Sequence, residues 1–236
     1  MDRRHAAGEG KERDMTITLG RRLLDHPISG EEIERLSFEC IDREGVRGGM
    51  DEAEWTVARR LIHTTGDPGL VRALRFAPDW LDAAMAALGA RESIYCDASM
   101  ARSGLSKARL RRATDGEPDV LCEVADPDVA AQAAESGLPR SVWAVRKAAQ
   151  RIGDGGIWLF GNAPTGLMEL VRLHKEEGFR PSLVVAMPVG FVHVVESKQE
   201  FLTTALPGIA LAGRRGGSPL VVATLHALCS LLEASQ

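Results

Sequence analysis

The chain has 236 residues, 44% of them hydrophobic and 26% charged, enough for one globular core without disulfide or metal staples. Its formal charge of −4 and pI near 5.9 leave no global basic field, so bulk electrostatic attraction to nucleic acid or an anionic membrane is not expected. An anionic ligand must be held by local groups.

The opening MDRRHAAGEGKERD is polar throughout, which predicts a disordered tail over residues 1–14 and offers no apolar stretch for a signal peptide. A single domain is expected from Met15 to residue 236, with no run long enough to span a membrane. Ser29 with Glu32 makes a capping box before the periodic Ile33, Leu36 and Ile41. Asp51 with Glu54 repeats the pattern before Trp55, Ala58 and Leu61, and that helix should end at His63-Thr64-Thr65-Gly66. Pro78 predicts the start of a helix through Trp80, Ala84 and Leu88 that Gly89 closes.

Beyond it the period changes. Apolar runs at 93–97, 119–124, 156–160, 182–186 and 208–212 read as strands and alternate with helical patterns, one of them marked by Asp126, Pro127 and Gly137. Strands apolar on both faces predict an α/β fold: a three-layer, doubly wound, mostly parallel sheet with additional N-terminal helices. Each strand is followed by a segment rich in Gly, Pro or small polar residues, at 97–104, 125–128, 161–166, 187–191 and 213–218. Ligands of parallel sheets sit beyond the carboxyl ends of the strands, so these loops should line one cleft.

The loops do not carry familiar signatures. GNAPTG (161–166) is not a dinucleotide fingerprint, and GRRGGS (213–218) lacks the Lys of a P-loop. No His, Cys and carboxylate set has metal-ligand spacing, and no serine elbow appears. GRRGGS precedes a helix, so its N–H groups and arginines suit a carboxylate or phosphate; a tight solvated turn explains the same glycines. Cys40, Cys96, Cys122 and Cys229 form no C-x-x-C pair and read as reduced core residues of a cytosolic protein. Among the histidines, His63 at a helix end is the best acid/base candidate, although a lone histidine is more often structural or solvated. His5, His26 and His174 read as solvent-facing; His193 and His226 read as core residues or supports of a site.

Taken together, SFECIDRE (37–44), RRLIHTTGD (59–67), IYCDASMARSGL (94–105), RS (140–141), GNAPTGL (161–167), PVGFVHVVESK (188–198) and GRRGGSP (213–219) resemble the precorrin-8X/cobalt-precorrin-8 methylmutase family along nearly the whole stretch from Ile33 to Leu228. The resemblance implies a flavodoxin-like homodimer in the cytoplasm that moves a methyl group from C-11 to C-12 of a tetrapyrrole polycarboxylate, with no cofactor and no protein-bound metal. It also implies that His63 donates and accepts the proton and that Ser37 and Arg60 contact substrate. Arg60 lies one helical turn from His63, so both can face one cleft.

A flat ring with many carboxylate arms asks for scattered donors around an apolar slot. The expected donors are Thr64, Arg140, Gly161, Asn162, Ala163, Pro164 (through the 161–165 turn), Thr165, Gly190, Lys198, Gly216, Gly217 and Ser218. Met100, Pro164, Pro188 and Phe191 are the expected slot walls, with core packing the plainer account of Met100 and Phe191. Glu196 could instead cap the next helix. Pro139, Val142, Trp143, His193 and His226 depart from the family pattern, so substrate detail around them stays open. A non-catalytic corrinoid carrier and an unrelated enzyme for a phosphorylated ligand are the competing readings, and the sequence leaves metal-free and cobalt-containing substrates undecided.

Overall fold

The computed structural model describes residues 18–236; the expected tail, His5 included, lies outside them. Helices α1 (Leu19–Asp25), α2 (Gly30–Glu44) and α3 (Glu52–Thr65) come first. At Asp51 both halves of the capping box form: Asp51 accepts the Glu54 N–H at 2.8 Å and Glu54 accepts the Asp51 N–H at 3.1 Å. At Ser29 only one half forms, because Glu32 turns its carboxylate to Arg35. Gly66 ends α3 in the left-handed region at φ 65°, as the Thr-Thr-Gly run predicts.

A 3-10 turn (Pro68–Ala73) then leads to β1 (Leu74–Phe76), a strand the sequence reading did not include. Three residues are too few to show an alternation. Helix α4 (Trp80–Gly89) starts later than Pro78 suggests, because Asp79 adopts φ 57° and interrupts a helical path just before Trp80.

The remaining elements are β2 (Ile94–Cys96), α5 (Ser99–Gly104), α6 (Lys107–Thr114), β3 (Val120–Leu121), α7 (Pro127–Ser136), α8 (Arg140–Ile152), β4 (Ile157–Phe160), α9 (Pro164–Glu177), β5 (Leu183–Ala186), α10 (Val194–Leu202), β6 (Gly208–Leu211) and α11 (Ser218–Ser235). All five expected strands are present, β3 shortened to two residues, and Pro127 and Gly137 bound α7 as expected. The sheet order is β1-β6-β5-β4-β2-β3, parallel throughout except where β1 pairs antiparallel with β6. The chain runs from β2 outward to β3 and returns past β2 to β4. Loops leaving β2 and β4 therefore diverge, which opens a crevice at their carboxyl ends.

Alternate residues of the buried strands feed two cores. Ile94, Cys96, Ile157, Leu159, Val185 and Ile209 pack with residues of α3, α4, α6 and α11; Tyr95, Trp158, Phe160, Val184 and Ala210 pack with residues of α8, α9 and α10. Helix α11 is long and apolar enough to cross a membrane by composition. Its apolar residues Leu220, Val221, Leu225, Leu228 and Cys229 are buried in the first core. Among the cysteines, all free, Cys96 and Cys229 are buried, but Cys122 is half-buried and Cys40 is exposed. Cys40 misses the expected core because α2 buries no residue at all.

Candidate active site

Helix α2 lies along α3 so that Ser37 Oγ sits 2.7 Å from His63 Nδ1. A serine hydroxyl can donate to a neutral imidazole and accept from a protonated one, so the bond survives either state of the ring. When Ser37 donates to Nδ1, the proton of the neutral imidazole resides on Nε2. His63 is exposed in the last turn of α3. The ring is oriented by Ser37 and by an edge contact with Phe38, centroids 5.3 Å apart.

Phe38 also organises two cations. The Arg59 and Arg60 guanidiniums lie 4.7 and 5.0 Å from its ring centroid. Asp42 joins Arg59 (3.0 Å) to the Trp55 indole N–H (2.8 Å), which anchors α2 on α3. Arg60 pairs with Glu34. Burial lowers the Arg60 pKa from its ordinary value, an effect that Glu34 opposes.

His63, Arg60 and Thr64 share one cavity, of about 360 Å³, with Met100 and Gly104 of α5 and with Ser218, Pro219, Val222, Ala223 and His226 of α11. Larger hollows exist. One, of about 710 Å³, lies between the carboxyl ends of α8 and α9, at the sheet edge opposite the strand carboxyl ends. Its two arginines are already paired, Arg172 with Glu169, Glu176 and Glu177 and Arg146 with Glu169. The smaller cavity is the one that combines an orientable imidazole with a half-buried cation.

Of the residues singled out from sequence, Arg60, His63, Thr64, Met100 and Ser218 meet in this cavity, with Ser37 directly behind the imidazole. Thr64 donates its hydroxyl to the Arg60 carbonyl at 2.8 Å. Met100 is a wall rather than core, at 70% exposure.

The glycine loops behave differently from expectation. Asp97, at the carboxyl end of β2 and 1% exposed, accepts the N–H groups of Gly161 (3.0 Å), Asn162 (2.7 Å) and Ala163 (2.8 Å). Those donors are spent inside the protein and do not face a ligand. Burial raises the Asp97 pKa despite the opposing pull of the three N–H groups. Thr165 pairs with Ser141 at 2.7 Å, and Pro164 opens α9.

Lys198, expected as a donor to substrate, is 1% exposed and donates to the carbonyls of Gly213 (2.9 Å) and Arg215 (2.7 Å). Burial pulls its ammonium down to about 8. It pins the 213–217 turn from inside. Gly216 and Gly217 are likewise architectural: Gly217 N–H donates to the Met187 carbonyl at 3.0 Å, and a Cβ at Gly216 would lie 2.1 Å from that same oxygen. Gly190 N–H donates to the Arg214 carbonyl at 3.2 Å. Pro188 is buried, while Phe191 is 83% exposed beneath Arg214, centroid to guanidinium 5.3 Å. Neither forms a wall of the His63 cavity.

Arg140 opens α8, exposed and without an ion pair among the described residues. Trp143 donates to the exposed Ser136 hydroxyl at 2.8 Å, and Glu196 lies in the first turn of α10 without a capping bond. His193 is exposed at φ 59° and not a core residue; His174 is half-buried against the Phe179 carbonyl and not solvent-facing. The sequence reading missed Glu34, Phe38 and Asp97. A carboxylate ending one strand opposite a GN turn after another was the available signal for Asp97.

The precorrin-8X methylmutase (CbiC) family model matches residues 32–231. The cobalt-precorrin-8 methylmutase of Priestia megaterium is 36% identical over 207 residues, covering 88% of this chain and 90% of that protein. The precorrin-8X methylmutase of Pseudomonas aeruginosa is 34% identical over 213 residues, 89% of this chain and 100% of that protein. Among solved structures, a precorrin-8X methylmutase from Thermus thermophilus superposes with a TM-score of 0.81 at 40% identity, covering 87% of this chain and 98% of that one.

Proposed function

The chain belongs to the precorrin-8X methylmutase family, and from that membership we propose that it catalyses the migration of a methyl group from C-11 to C-12 of a contracted tetrapyrrole, an isomerase step in cobalamin biosynthesis. Precorrin-8X becomes hydrogenobyrinic acid, or its cobalt-containing counterpart becomes cobyrinic acid. Substrate and product are isomers: one carbon–carbon bond breaks as another forms, with no net gain of atoms or electrons. A proton lent to the conjugated ring must be taken back, and one imidazole can do both.

The observation that carries this reading is the 2.7 Å Ser37–His63 contact beside a cavity that also holds Arg60. His63 Nε2 exchanges the proton, Ser37 follows the change of charge at Nδ1, and Arg60 takes a substrate carboxylate. Arg140 and the Ser218 hydroxyl at the start of α11 supply further donors, Thr64 lines the site, and Met100 covers the ring face. Cobalt, where present, is cargo of the substrate.

Residues 15–236 act as one methylmutase domain, flavodoxin-like in the 2-1-3-4-5 order of its parallel strands, as a cytoplasmic homodimer. Exposed Met100, Val189, Phe191 and Val192, and the small volume of the cavity in one chain, support a second copy closing over the ligand. The direct test supplies the purified protein with precorrin-8X and with cobalt-precorrin-8 and follows the absorbance spectrum and mass. A spectral change to product at constant mass is expected for at least one; no change with either overturns the reading.

A further inference from the structure

His226 lines the same cavity from α11, across from His63. Its Nε2 lies 3.1 Å from the backbone N–H of Ser106, the residue that caps α6. A peptide N–H can only donate, so Nε2 must carry a lone pair, and a ring that accepts there is a neutral imidazole with its proton on Nδ1. Nδ1 has no hydrogen-bond partner among the described residues. The surrounding charges favour the same state. Arg109 of α6 and Arg60 of α3 face the ring, Glu34 of α2 opposes them, and burial leads the causes that hold the group down to about 4.

We propose, resting on the methylmutase reading, that His226 is a substrate-binding residue whose Nδ1–H, fixed by the Ser106 N–H at the other nitrogen, donates to a side-chain carboxylate of the tetrapyrrole. The two histidines of the cavity thus divide the work. His63, backed by a hydroxyl that can donate or accept, is free to change charge. His226, backed by a group that can only donate, stays a neutral donor of fixed direction beside the Arg60 cation. A carboxylate arm reaching Arg60 would find a second, uncharged contact that sets its orientation.

The test uses the full-length protein labelled with ¹⁵N. Long-range proton–nitrogen correlation spectra of the unmodified protein and of His226→Asn assign the ring. The expected pattern is protonated Nδ1 and bare Nε2, constant from pH 5.5 to 8, with the Nδ1–H signal moving when hydrogenobyrinic acid is added. In parallel, His226→Leu should raise the Kd for hydrogenobyrinic acid and the KM for precorrin-8X about tenfold, with kcat within about threefold. His226→Asn offers both an acceptor for Ser106 and an N–H, and should restore both constants to within about threefold. A proton on Nε2, titration near 6.5, or an unchanged Kd in His226→Leu overturns the assignment of His226 alone. Failure of the unmodified protein to bind the product overturns the methylmutase reading as well.

Discussion

Ser37 and His63, separated by 26 positions in the chain, meet at 2.7 Å because α2 and α3 are clasped together by Asp42, Trp55 and Arg59. The serine adds no chemistry of its own. Its hydroxyl engages Nδ1 and leaves Nε2 without a hydrogen-bond partner among the described residues.

Replacing Ser37 with Ala should therefore lower kcat about tenfold, through a loosened imidazole and an unassigned tautomer, while KM stays within about threefold. Steady-state kinetics of the variant beside the unmodified protein check this, with far-UV circular dichroism to measure the folded fraction. Equal losses in kcat and in folded fraction would instead mark Ser37 as structural.

Asp97 is the acceptor for three buried N–H groups, so Asp97→Ala should destabilise the fold by about 3 kcal/mol or more. Urea denaturation measures the loss. Because the 161–163 turn supports the start of α11, with the Gly161 Cα edge abutting Ser218, product affinity should fall in the same variant.

Gly216→Ala should be equally severe. The added Cβ would sit 2.1 and 2.6 Å from the carbonyl oxygens of Met187 and Pro188, both backbone atoms that cannot rotate away. A loss of about 3 kcal/mol or more in thermal or urea unfolding is expected, and a fully stable variant would contradict the packing described.

Stability should also fall with acid on account of His226. Between 6.5, the ordinary value, and about 4, its value in the fold, the unfolded chain binds a proton that the folded ring refuses. Acidification through that window thus favours unfolding, by on the order of 1–2 kcal/mol once partial exposure is discounted. Urea midpoints from pH 7 to 4 should slope less in His226→Asn than in the unmodified protein.

Much of the fold was legible in the sequence because β2, β4, β5 and β6 are buried on both faces and so appear as short uninterrupted apolar runs. β1 was not, since three residues show no period. In the site, His63, Arg60 and Ser37 were found together through the family resemblance. The glycine turns were read as donors to a ligand, whereas Asp97 and the Met187 carbonyl use those N–H groups. Sequence reveals a cluster of donors but not the distant acceptor that fills it. Lys198 misled for the same reason: its partners are main-chain carbonyls, invisible as residue types.

We propose that the His63 imidazole exchanges the proton that drives methyl migration. Single-turnover conversion of precorrin-8X by His63→Ala, alongside its affinity for hydrogenobyrinic acid, tests it most directly. The variant should convert about 10²–10⁴-fold more slowly with product affinity within about threefold; conversion at the unmodified rate would remove His63 as the proton carrier.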